Sequence, residues 1–169
     1  MTLTETILPE FDQEMANTRK TLDRVPDGKL DWKPHEKSYS LAGLATHLAD
    51  IPIWTANAFN QDEFDVAPPG SPPYHLEDLK SRDALLAEFD KNVAAARSAL
   101  LSASDEKWQG NWTLLARGRQ ILKQPRTQVV RSFVLNHLIH HRAQLGVYLR
   151  LLDVPVPAVY GPTADEGSF

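Results

Sequence analysis

Between Asn136 and Leu151 the chain reads NHLIHHRAQLGVYLRL. With the residues just before it, Val130, Phe133, His137, His141, Gln144, Tyr148 and Leu151 recur at three- or four-residue spacing, the repeat of one helix face. A helix is therefore expected from about Pro125–Thr127 to Leu152. Within that stripe His137 and His141 stand four residues apart, about 40° around the axis, so both imidazoles point the same way. The stripe, and the histidine pair with it, is expected to face the interior of a helical bundle.

Upstream, three more stretches carry the same periodicity. Leu3, Ile7, Phe11, Met15, Thr18 and Leu22 form the first stripe. Pro9 is tolerable there if the helix begins only a few residues earlier, because a first turn needs no internal N–H donors. Val25-Pro26-Asp27-Gly28 is a turn signal that ends it. Ser40 is placed to cap a second helix through Phe59, with Leu44, His47, Ile51, Trp54 and Ala58 on one side. Pro52 removes a backbone hydrogen bond inside this pattern and predicts a kink near Leu48. A third helix is expected from Ser81 to Leu101, striped by Leu85, Phe89, Val93, Ala96 and Leu100.

The joints are of different kinds. Pro68-Pro69-Gly70-Ser71-Pro72-Pro73 can only be loop. Ser102 to Gln124, holding Trp108 and Trp112, reads as irregular, and a connection of that length usually serves function or acts as a lid. The tail after Asp153 is Pro-rich coil. With no convincing strand pattern, the expected architecture is all-α: a four-helix bundle in a single domain, 1–169, with a long connection between helices 3 and 4.

Composition narrows the function. The 169 residues include no cysteine, which excludes thiolate zinc sites, a catalytic cysteine and redox motifs, and fits a reducing cytoplasm. Net charge is −4 and the basic residues are scattered singly, so a nucleic-acid partner is not expected. No apolar run approaches the ~20 residues of a membrane span, and the acidic N-terminus does not read as a signal peptide. A cytoplasmic protein is the expectation. Asn111-Trp112-Thr113 matches a glycosylation acceptor and, without a secretory signal, is read as chance.

The chemistry-bearing residues are the histidines. His47 lies in the middle of the second stripe, and imidazoles on facing stripes of packed helices can converge with His137 and His141. Two readings stay open at this point: a metal site, or a set of hydrogen-bonded core histidines. Three neutral imidazoles around an ion would leave a coordination position for water or substrate, the pattern of a catalytic site. Asp50 and Gln144, each about one turn beyond a candidate ligand, could orient a ligand's other ring nitrogen. The alternatives are a solvated flank for Asp50 and an interhelical hydrogen bond for Gln144. His140 falls at the edge of the stripe, on the surface or behind the ligands, and His35 and His75 have no partner spacing. Ser132 has no histidine–carboxylate relay, and no glycine-rich phosphate loop is present. Trp54, Trp108, Trp112 and Tyr148 could line a pocket or simply pack.

The residues together resemble a known family. Leu30-Asp31-Trp32-Lys33-Pro34, Ser40-Leu41 and Thr46-His47-Leu48 are similar to the DinB-like family of bacterial proteins. So are Asn136 to Leu145, Tyr148-Leu149-Arg150, and the tail from Val154-Pro155-Val156-Pro157 to Tyr160-Gly161-Pro162-Thr163-Ala164-Asp165-Glu166. The resemblance implies a four-helix bundle, often a homodimer, with one divalent metal, zinc or nickel, held by His47, His137 and His141. It also implies a small-molecule substrate. Relatives include transferases and isomerases that use a low-molecular-weight thiol, so a metal-dependent thiol S-transferase is the leading expectation. A metal-dependent hydrolase and a non-catalytic metal or small-molecule binding protein of the stress response are the alternatives.

Overall fold

Thr2 accepts the backbone N–H of Glu5 at 3.1 Å while the Glu5 carboxylate accepts that of Thr2 at 2.8 Å. This reciprocal cap starts α1 (Leu3–Leu22). The computed structural model describes residues 1–167. Pro9 lies past the first turn of α1, on an exposed face, so the helix accommodates it as an interior residue.

The second expected helix is two helices. Ser40 caps α2 (Leu41–Asp50) by accepting from the Gly43 N–H at 2.9 Å. The chain then breaks at Ile51-Pro52 and resumes as α3 (Ile53–Asn60). Pro52 has no N–H to offer the Leu48 carbonyl, so the predicted kink becomes a full interruption. Ser81 caps α4 (Arg82–Ser102) through the Ala84 N–H.

The stretch expected to be irregular is ordered. It holds a short helix, α5 (Asp105–Gln109), and a hairpin of β2 (Asn111–Ala116) and β3 (Arg119–Pro125), to which β1 (Glu63–Asp65) adds in parallel beside β2. The all-α expectation is thus corrected to a mostly helical fold with a small three-stranded sheet, in the order β1-β2-β3. The hairpin turns on Arg117 and Gly118, with φ of 54° and 71°. Two successive positive φ values suit the right-handed twist of a two-residue hairpin. Buried Arg126 fastens the hairpin to the end of α3: it donates to the carbonyls of Ala58, Gln61 and Asn111 and to the Asp62 carboxylate.

The last helical stretch begins with α6 (Arg126–Gln128), passes through a π-helical segment (Val129–Leu135), and continues as α7 (Asn136–Leu151). At the join, the Asn136 N–H reaches back five residues to the Arg131 carbonyl. α1 packs on α4 and α7, α2 packs on the same two helices, and α3 lies on α4. Phe11, Leu22, Leu44, Leu48, Phe89, Leu100, Leu138 and Leu145 fill the core between them. Among the described residues no helix is long and apolar enough to cross a membrane.

Candidate metal centre

On α7 the buried line is Leu138, Arg142, Leu145 and Leu149, continuing upstream into Val134 and Val130. The stripe expected from the sequence is displaced from it by one residue, about 100° of rotation. His137 and His141 are therefore half-buried on the flank of the helix, not in the interior, and Leu151 is 58% exposed. Arg142 explains the misreading, because a cation at a central position hides the apolar line. It is accommodated by a buried ion pair with Glu14 at 2.7 Å and by the Tyr160 hydroxyl at 2.5 Å.

The flank position brings the three expected histidines together. His47 on α2 and His137 on α7 place their Nε2 atoms 3.2 Å apart. The His141 ring centroid lies 4.6 Å from that of His47 and 4.7 Å from that of His137. One ring nitrogen from each of the three lies within 4.8 Å of the others, and among the described residues this is the group suited to a metal ion.

Hydrogen bonds orient the rings. His141 Nδ1 meets Gln144 Oε1 at 2.8 Å, and an amide oxygen can only accept, so Nδ1 carries the hydrogen and Nε2 keeps its lone pair. The Gln144 amide nitrogen then donates to His140 Nε2 at 3.1 Å. The His137 ring bonds the backbone of Phe133. Gln144 thus bonds a histidine within its own helix and not across helices, while exposed His140 stands outside the group, and so do exposed His35 and His75.

Electrostatics keep the three rings neutral. Burial, reinforced by His141 and His137 beside it, pulls His47 down to about 4. Burial lowers His137 and His141 as well. Neutral imidazoles offer lone pairs, as metal ligands must. Two nitrogens held at 2.0–2.1 Å by a tetrahedral ion lie about 3.3 Å apart, close to the His47–His137 separation. The residues fit a divalent ion.

Asp50 corrects an expectation. It is 6% exposed, not a solvated flank, and its Oδ1 accepts the Tyr74 hydroxyl at 2.5 Å in place of a histidine N–H. Asp50 and Tyr74 line a cavity of about 240 Å³ beside His47, walled also by Tyr39, Trp54, Thr46 and Asp78. Tyr39 stacks on His47 with centroids 6.2 Å apart, and Trp54 meets Tyr74 edge-on at 5.9 Å. Trp108 and Trp112 are fully buried core residues, Tyr148 donates to the Tyr39 carbonyl, and Ser132 bonds the Gln128 carbonyl. Sequence reasoning missed Tyr74. It follows Pro72-Pro73 in a loop, and only that stiff approach could have drawn notice.

The model of the DinB family matches residues 1–168. The chain belongs to the DinB family. It is 26% identical over 163 residues to YrdA of Bacillus subtilis, an uncharacterized protein, covering 94% of this chain and 89% of that one. Two solved DinB-like structures share the fold. One from Bacillus cereus superposes with a TM-score of 0.71 at 21% identity, covering 92% of this chain and 97% of the other. A second, YjoA of Bacillus subtilis, gives 0.68 at 17% identity, with 91% and 97% covered. At these identities the DinB likeness speaks for the fold alone.

Proposed function

We propose that this DinB family protein is a divalent-metal-dependent enzyme acting on small molecules, with His47, His137 and His141 holding zinc or nickel. Its reaction on this reading is transfer of a low-molecular-weight thiol. The observation that carries it is the place of the three imidazoles: they converge half-buried, and one of them, His47, lines an open cavity that a small molecule can enter. Hydrogen-bonded core histidines have no need of such an opening. In the same reading α1, α2, α4 and α7 make a four-helix bundle, with α3 the broken continuation of α2, and the molecule works as a homodimer in the cytoplasm.

A divalent ion in this site supplies Lewis acidity and lowers the pKa of a coordinated thiol or water. The rest falls to the chain. It has no cysteine, so the sulfur comes from a cosubstrate. In the transfer a sulfur–carbon bond forms, the electrophile's leaving group departs with the bonding pair, and the thiol proton passes to solvent. Gln144 holds His141 in the tautomer that presents Nε2. Tyr39 fixes the plane of His47. Trp54 and Tyr74 wall the cavity and offer apolar contact to the acceptor.

The experiment is metal analysis of tag-free protein followed by turnover of 1-chloro-2,4-dinitrobenzene with glutathione, cysteine or bacillithiol. Thiol-dependent product that disappears with chelator, and in His137→Ala, is expected. Consumption without thiol would replace the reading with a hydrolase. Bound metal with no reaction would leave a binding protein.

A further inference from the structure

The walls of the cavity beside His47 have a charge pattern that the metal does not explain. Asp50 and Asp78 both line it, and no lysine or arginine does among the described residues. Asp50 is 6% exposed, so its carboxylate sits in a site largely shielded from water. Behind it, Lys91 on α4 is engaged with Glu88 at 3.0 Å and brings no net positive charge. One Asp50 oxygen receives the Tyr74 hydroxyl and the Trp54 side chain also bonds the carboxyl, while a carboxylate can accept several donors. Burial raises the Asp50 carboxyl above its ordinary range, and the bonds from Tyr74 and Trp54 oppose this.

The other walls are aromatic. Trp54 sits in edge-on contact with Tyr74 and Phe64, at 5.9 and 6.0 Å between centroids. Tyr39 lies by His47. Ring faces carry negative potential and attract cations, most strongly when water is excluded. A buried carboxylate beside exposed aromatic faces is a site that accepts positive charge and repels anions. The volume, about 240 Å³, limits the ligand to a single ring with a short arm or something smaller.

We propose that this cavity selects small organic cations, seating an ammonium group against Asp50 beside the aromatic walls of Tyr39, Trp54 and Tyr74. The inference rests on reading the cavity as the substrate chamber and makes the acceptor substrate, not the thiol, the cationic partner. It does not require the metal. The carboxylates also offset the charge of an ion held at the histidines, so the cation and the metal can be bound together.

The test is binding of benzyltrimethylammonium, benzyl alcohol and benzenesulfonate by calorimetry. The quaternary cation cannot coordinate a metal or lose a proton, so its affinity reports the cavity alone. The cation should bind about tenfold or more tightly than the alcohol, a difference of about 1.4 kcal/mol, and the sulfonate weakest. Asp50→Asn should erase the cation's advantage while still holding one metal ion per chain. His137→Ala should lose the ion and keep the advantage, which separates this proposal from the metal reading. Equal affinities, a preference for the sulfonate, no binding of any probe, or an unchanged preference in Asp50→Asn would overturn it. The wild-type comparison decides alone if Asp50→Asn fails to fold.

Discussion

His141 donates its Nδ1–H to Gln144 across 2.8 Å, and the two residues stand one turn apart on α7. That bond fixes which nitrogen faces His47. Gln144→Leu removes it without touching a ligand. Metal affinity is expected to fall by about 10- to 100-fold, the usual effect of losing such an orienting partner, with stoichiometry unchanged. Titration of the metal-free protein with zinc under a competing chelator measures this. Unaltered affinity would remove Gln144 from the site.

The adjacent histidines give a sharper contrast. His141 belongs to the convergent group and His140 is exposed outside it. His141→Ala is expected to abolish tight binding of about one ion per chain, and with it the rise in melting temperature that metal gives by mass action. His140→Ala should keep both. Equilibrium dialysis and melting with and without chelator compare them.

Much of this site was legible in the sequence, and the reasons are physical. A four-residue spacing must put His137 and His141 on one side of a helix, whatever that side faces. The facing direction was not legible: nothing in VVRSFVL marks a π segment, and Arg142 hides the packed line by placing a charge where the pattern needs an apolar residue. The hairpin escaped notice because its turn is Arg117-Gly118, not the Asn-Gly or Asp-Gly pair that signals such turns. Tyr74 reaches Asp50 only through tertiary folding of a proline-rich loop, which no local periodicity encodes.

The lowered histidines set a pH dependence in the metal-free protein. An exposed imidazole in the unfolded chain titrates near 6.5, whereas folded His47 titrates at about 4. Between those values the unfolded state binds more protons, so the contribution of His47 to stability falls as pH drops from about 6.5 to about 4. His137 and His141 act in the same direction. Urea midpoints in chelator across this range are the measurement, and His47→Gln should flatten the slope.

The Arg142–Glu14 pair lies 4% and 6% exposed. Arg142→Met strands a buried carboxylate, and the expected loss is about 3–5 kcal/mol, read from denaturant unfolding. The combined Glu14→Leu and Arg142→Met change should recover a large part of it, since the penalty belongs to the unpaired charge.

The parallel pairing of β1 with β2, Glu63 opposite Thr113, joins segments with the whole of α4 between them. Closing so long a loop costs chain entropy that local helical contacts do not incur. The ladder therefore zips after the local turns of α2 and α7 have formed, and the loop carrying Tyr74, which runs on from β1, is seated with it. Pulse-labelled hydrogen exchange would register this as protection of the Leu48 and Leu145 amides ahead of the Leu115 amide.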